Sequence, residues 1–186
     1  MNASRHSKTD VLRAAMKLLD EVGLPDLTMR KLAAALDVQP SALYWHYPNK
    51  QTLLAEVSDT IVNFAKPVTA GKNWQENAKL EALALRDALL AFRDGAEVVS
   101  STLALGLGAD NALARIENSI EVSDQNFAHA AAESILFLVL GQVWHEQQRM
   151  QANSLGVVDN LILESAPNLE IGIQLILNGL SEKVKA

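Results

Sequence analysis

The chain has no cysteine, few aromatic residues and no long unbroken apolar run. Without cysteine there can be no disulfide and no cysteine-ligated zinc. Aromatics make up 5% of a chain that is 49% hydrophobic, and Leu and Ala carry much of the remainder, a composition that favours helix over strand. The longest apolar stretch, 135–143, is interrupted by Gly141 and Gln142 and falls short of the roughly 18 residues that suggest a membrane span. The N-terminus lacks the apolar segment of a signal peptide. No membrane crossing is expected, and the expected compartment is the cytoplasm. Positive charge is also scarce, with 16 Lys and Arg against 22 Asp and Glu. A net charge of −6 argues against a generally adhesive nucleic-acid binder. The charges are unevenly spread, however. Through Lys50 there are seven basic and five acidic residues, whereas the remainder has nine and seventeen. A basic head on an acidic body can direct nucleic acid to one end.

What is present reads as helix from end to end. Ser7 and Asp10 form a capping pair for a helix over 7–22, with Val11, Ala15, Leu18 and Val22 on one stripe and Leu12 and Leu19 widening it. Gly23 occupies a left-handed C-cap position and Pro25 prevents continuation. Thr28 caps a second helix that buries Met29, Leu32, Ala33 and Leu36. Asp37 and Val38 form a tight connection, and Pro40 opens a third helix that ends near Tyr47-Pro48. Asn49 caps a fourth, whose Leu54, Val57, Ile61 and Phe64 share a face until Pro67. Beyond it the pattern predicts helices over 73–93, a short segment after Asp94-Gly95, 109–122, 124–150 and a final one after Pro167, with a weak segment over 152–165. The expected fold is all-α. A head over 1–50 is joined by helix 4, about 50–66, to a body over 67–186.

Three short helices, with a turn of three to four residues between the second and third, have the dimensions of a helix-turn-helix. In that arrangement the third helix should be small or polar on its outer face. Gln39, Pro40, Ser41 and Ala42 meet this requirement while Leu43 points inward. Thr28, Tyr44, His46 and Lys50 are placed to donate to phosphates, and Arg30 could reach a phosphate or a guanine edge. A generic three-helix packing unit would show the same periodicity.

The stretches Leu27-Thr-Met-Arg-Lys-Leu-Ala33, Leu43-Tyr-Trp-His-Tyr47, Asn49-Lys50 and Leu53-Leu54 resemble the head of the tetracycline-repressor (TetR) family. The likeness continues in Asn73-Trp-Gln75, Ala88-Leu-Leu90, Arg93-Asp-Gly-Ala96, Leu140-Gly141 and the 172–180 helix, which are similar to the ligand domain of tetracycline repressors. The resemblance implies an operator-binding homodimer with an effector pocket in the body. It places Arg30, Gln39, Pro40, Ser41 and Ala42 at groove-facing positions. Thr28, Tyr44, Trp45, His46 and Lys50 fall at positions that pack against or bond the DNA backbone. Trp45 could serve both DNA and core, whereas Tyr47 reads as core. Pro40 and Ala42 replace side chains better able to hydrogen-bond, so a different operator is implied.

In the body, 130–144 is apolar on nearly every face, and Leu169, Ile173, Ile176, Leu177 and Leu180 make a second stripe. Gly172 and Gly179 would admit a neighbouring helix. Leu140, Gly172, Ile176 and Gly179 are therefore candidate dimer contacts, although a helix pair buried within one subunit fits the same pattern. By resemblance the pocket would use Glu81, Leu85, Thr102 and His145, walled by Phe64, Leu89, Phe92, Phe137 and Trp144. Val99 stands where the family's drug-binding members carry a magnesium-holding histidine, which argues against a magnesium–tetracycline chelate. No cofactor or metal is expected. The expected effector is apolar or cationic, with Glu81 as counter-charge. His145 and His129 read as surface or structural residues. No P-loop, dinucleotide fingerprint or nucleophile elbow is present, so no catalysis is expected. The reading is a DNA-binding regulator, a homodimeric repressor released from its operator by a small molecule. The alternative is a helical ligand-binding or enzymatic bundle without operator binding.

Overall fold

Ser7 starts the first helix as its spacing to Asp10 predicts: its hydroxyl accepts from the Asp10 N–H at 3.2 Å, and the Asp10 carboxylate accepts from the Ser7 N–H at 3.0 Å. The computed structural model describes residues 6–157 and 165–185. Helix α1 (Lys8–Val22) ends at Gly23, whose φ of +80° and ψ of 170° are extended in the mirror sense, not the left-handed helical cap expected. Thr28 caps α2 (Met29–Ala35), accepting from Lys31 N at 3.1 Å. Asp37 takes a positive φ of 55° in the connection. Helix α3 (Pro40–Leu43) is a single turn followed by non-helical turns to His46, shorter than expected. The residue before a proline avoids the helical region, and Tyr47 precedes Pro48. Asn49 then caps α4 (Lys50–Asn63), accepting from Thr52 N at 2.8 Å.

The body contains α5 (Trp74–Leu90), α6 (Gly95–Ala104), α7 (Asp110–Glu117), α8 (Gln125–Ser154) and α9 (Ser165–Lys185). Side-chain caps account for two of these starts: Asn73 accepts from Glu76 N, and Asp124 accepts from Asn126 N, whereas α6 and α7 begin without one. Helix α7 is shorter than the 109–122 expected. Ala109 adopts a left-handed φ of 66°, and the chain leaves the helix through turns after Glu117. Helix α8 runs a turn further than expected, since no breaker precedes Gly156 at φ +69°. The weak segment divides accordingly: 152–154 belong to α8 and 158–164 lie outside the described residues. No strand occurs among the described residues.

Helix α8 is the axis of the body and packs on α5, α6, α7 and α9. Ala128, Ala132, Ile135, Val139 and Val143 are fully buried along it. One 18-residue window reaches a mean hydropathy of 1.4, which corrects the expectation that nothing here is apolar enough to span a membrane; the buried face of α8 serves as the core of the helical body. Helix α4 packs against α1 on one side and α5, α6 and α7 on the other, so it is shared by head and body.

Candidate DNA-binding face and effector region

Local capping and one buried tyrosine set the head's outer face. Leu43 and Tyr47 are about 2% exposed and close the head core. The Tyr47 hydroxyl donates to Glu56, which also holds the Lys8 ammonium at 2.8 Å. Burial, together with the Glu56 contact, pushes the Tyr47 hydroxyl well above its ordinary pKa. Burial also tends to raise the Glu56 carboxyl, but the Lys8 and Tyr47 donors outweigh it and the net shift is downward. With α3 pinned in this way, Tyr44 is 49% and Trp45 87% exposed, so Trp45 has no core role.

Nine of the ten DNA-contact candidates fall on α2, α3 and the adjoining turns and caps, and Lys50 is the first residue of α4. Thr28, Arg30, Gln39, Ser41, Tyr44 and Trp45 are exposed, while Pro40, Ala42, His46 and Lys50 are half-buried. The Thr28 oxygen accepts the Lys31 amide and its O–H is left to donate outward. A ring nitrogen of His46 lies 3.1 Å from the His6 carbonyl, and the His6 ring is 2.9 Å from the Leu36 carbonyl, which holds His6 against the head. Lys50 donates to the Leu24 carbonyl at 3.3 Å, and burial lowers its ammonium pKa.

The nine effector candidates do not share one lining. Glu81 is ion-paired with Arg115 at 2.6 Å, so its charge is already met within the chain. Leu85 and Leu89 are fully buried, as is Val99. Thr102 donates to Ser58 Oγ at 2.7 Å. Phe64 is exposed, off the buried face expected for it, and meets Phe92 edge-on at 5.2 Å. Phe137, Trp144 and His145 lie on the outer side of α8. Of the nine, Phe137 and Trp144 line a groove of about 450 Å³ between α6 and α8, together with Glu97, Ser100, Leu140 and Gly141. The dimer candidates separate in the same way. Leu140 is 4% exposed and belongs to the subunit core, and a Cβ on Gly172 would lie 2.9 Å from Leu138, so that glycine serves the α8–α9 contact within the subunit. Ile176 is half-buried, whereas Gly179 faces open space. Among the described residues, the large apolar side chains left uncovered on α9 are Ile171 and Leu175, at 59% and 68% exposure.

Sequence reasoning missed a polar seam between head and body. Asp94, at a left-handed φ of 55°, accepts the buried Leu24 N–H at 2.8 Å and also a hydrogen bond from Gln151 of α8. Gln147, one turn earlier, accepts from Ala96 N at 3.2 Å and donates to the Leu89 and Phe92 carbonyls. Arg93 adds a bond from its N–H to Asp20 and one from its guanidinium to the Glu21 carbonyl. Glu146 meets Arg86 of α5 at 2.9 Å with both side chains largely buried. The available signal was the polar run 146–149, followed by Gln151, on a helix otherwise apolar toward its neighbours.

An all-helical body behind a helix-turn-helix head, with a short exposed third helix, defines a DNA-binding transcriptional regulator. Residues 11–57 match the model for bacterial regulatory proteins of the tetR family. Tetracycline repressor protein class E from Escherichia coli is 35% identical over 175 residues, covering 89% of this chain and 78% of that protein. BioQ of Mycobacterium smegmatis superposes with a TM-score of 0.86 at 39% identity, covering 96% of this chain and 99% of that one. A structure of BioQ with its double-stranded DNA operator superposes at 0.77 with 36% identity, over the same shares of each chain. The chain belongs to the TetR family and is a transcriptional repressor of that family.

Proposed function

We propose that the chain acts as a homodimer on an operator of two half-sites and leaves it when a small organic molecule binds the body. The observation that carries this reading is the face built by Gln39, Ser41, Tyr44 and Trp45. Polar side chains and two large exposed aromatics lie on a one-turn helix and the residues flanking it, locked from behind by Leu43 and Tyr47. Gln39 and Ser41 read base edges, with Arg30 beside them and Pro40 and Ala42 offering apolar contact in the groove. Thr28, Tyr44, Trp45, His46 and Lys50 meet the backbone and set register. The head comprises 1–50, α4 joins it to the body, and the body over 67–186 carries the effector region and the dimer face. Ile171, Leu175 and Gly179 supply an uncovered apolar surface for the second copy.

Release follows from three mechanical links. Thr102 ties α6 to Ser58 of α4, and Ala109 N donates to Asp59 of α4 at 2.7 Å. Asp94, at the start of α6, holds the α1–α2 turn through Leu24 N. A ligand that favours another position of α6 therefore shifts α4 and the head together, by no more than its difference in affinity between the two positions. Crystal structures of a related repressor from Acinetobacter baumannii, 28% identical, include one with minocycline, which supports a small-molecule effector. In this chain Val99 is a buried hydrocarbon side chain and the Glu81 carboxylate is taken up by Arg115, so neither offers a ligand to a metal.

The test uses an operator selected from a random duplex pool. Replacing Gln39 with Ala should relax preference at particular base pairs by about 1–3 kcal/mol. Replacing Tyr44 or Lys50 with Ala should weaken all duplexes alike. An unchanged base preference in Gln39→Ala would contradict the placement of α3.

A further inference from the structure

Helix α3 is a single turn, and one turn has too few hydrogen bonds to sustain itself, so its pose depends on what grips its ends. The Ala42 N–H donates to the Gln39 carbonyl, and the His46 and Tyr47 N–H groups donate to the Leu43 carbonyl, each at 2.9 Å. Leu43 and Tyr47 fill the core behind them. Apolar burial is non-directional, so directed bonds decide the angle at which the outer face is presented. Two such bonds come from His6, which lies ahead of α1 and outside the helix-turn-helix. Its ring Nε2 is 2.9 Å from the carbonyl of Leu36, and its own carbonyl is 3.1 Å from Nε2 of His46. Carbonyls only accept, so both Nε2 atoms carry a proton in these bonds. Leu36 is the C-cap of α2, where helix carbonyls lack a partner within the helix. His46 stands three residues beyond the end of α3. One residue therefore joins the exit of α2 to the exit of α3 across the turn at Asp37. Lys8, on the far side of the Ser7 cap, grips the neighbouring Tyr47. Its ammonium is 5.1 Å from the ring centroid and pairs with Glu56, which accepts from the Tyr47 hydroxyl.

Resting on the reading of α3 as the base-reading element, we propose that His6 is a positioning residue for operator recognition. It braces α2 against α3 and fixes the angle at which Gln39 and Ser41 meet base edges, acting through protein contacts and not on the DNA. Without the His6 ring the two helices keep the turn at Asp37 and the packing of Leu43 and Tyr47, which together permit α3 to rotate about the buried Leu43. Gln39 and Ser41 precede that pivot and swing across the floor of the groove. Hydrogen bonds to base edges weaken steeply with misalignment. Tyr44 is next to the pivot and Lys50 belongs to α4, so their phosphate contacts are kept. Loss of His6 therefore costs discrimination before it costs affinity for DNA in general.

The test uses the full chain, the selected operator and an unrelated duplex of equal length. In His6→Ala the ratio of operator affinity to unrelated-duplex affinity should fall by about tenfold, the size of one good base contact, with the salt slope on the unrelated duplex unchanged. His6→Gln places an amide N–H close to the position of Nε2 and should restore the ratio to within about threefold of wild type. Hydrogen exchange at the Ala42, His46 and Tyr47 amides, read without DNA, should quicken by about threefold or more in His6→Ala and return in His6→Gln, while amides of α8 stay unchanged. A ratio unchanged in His6→Ala, or His6→Gln as damaging as His6→Ala, would overturn the proposal. A salt slope shallower by about one in both variants would also overturn it, since His6 would then hold a phosphate itself. Gln39→Ala, measured beside them, separates the two levels. Quickened exchange in His6→Ala with base preference unchanged in Gln39→Ala would refute α3 as the base reader and leave the brace standing. Altered base preference in Gln39→Ala, with exchange and ratio both unchanged in His6→Ala, would refute the brace and leave the placement of α3 standing.

Discussion

Replacing Asp94 with Ala should cost more than any other single loss of a side-chain hydrogen bond between head and body. The carboxylate is 4% exposed and accepts two hydrogen bonds, one from the backbone N–H of Leu24 and one from Gln151. Truncation leaves the Leu24 donor buried without an acceptor, at about 1–3 kcal/mol. The Gln151 amide is half-buried and regains water, so its loss is small. Residue 94 has a φ of 55°, a region that alanine enters less readily than aspartate, which adds up to about 1 kcal/mol. The sum is about 1–4 kcal/mol, or a melting temperature lower by roughly 2–16 °C for a chain of this size. Asp94→Asn should cost about 1 kcal/mol or less, because its carbonyl can still accept from Leu24 and the Gln151 amide can turn to receive its NH₂. Denaturation at one fixed protein concentration, which holds dimer mass action constant, measures both variants. Hydrogen exchange at the Leu24 amide supplies a local readout. If Asp94→Ala lies within about 0.5 kcal/mol of wild type, or Asp94→Asn is equally damaging, the seam does not carry the load argued here.

Three other outcomes follow from the same geometry. A Cβ on Gly95 would lie 2.3 Å from the Leu89 carbonyl oxygen, so Gly95→Ala must displace the α5–α6 turn; unfolding should show a loss of at least about 2 kcal/mol. Leu175→Glu adds charge to an exposed apolar face without touching the core, so sedimentation should show monomer while the helical circular dichroism is kept. Glu56 has a folded pKa below its ordinary value of 4.5, so its contribution to stability is fully present above that value and is lost as pH falls through the lowered one. Stability measured from pH 6 to 3 should therefore fall less steeply in Glu56→Gln than in wild type.

The head was legible because its signals are local. Ser7 with Asp10, Thr28, Asp37, Pro40 and Asn49 each act within four residues of themselves, and the structure uses every one. The body was legible as helices but not as a site. Glu81 looked like a free counter-charge because Arg115 is 34 positions away, and nothing in the spacing links the two. Leu140 and Gly172 looked like interface residues because α8 and α9 are apolar on several faces. Which face meets the neighbouring helix and which is left open is decided by tertiary packing, and the open one carries Ile171 and Leu175. Asp94 read only as the residue before a turn glycine, since its partner Leu24 lies 70 positions earlier.

The central claim is that two copies of the short α3 face read a duplex together, and hydroxyl-radical footprinting on the selected operator tests it most directly. The account predicts two protected half-sites related by a two-fold axis, with centres about 34–36 Å or a multiple apart. Leu175→Glu should lose both at concentrations that saturate wild type. A single protected half-site at saturation, or a footprint unchanged in Leu175→Glu, would contradict it.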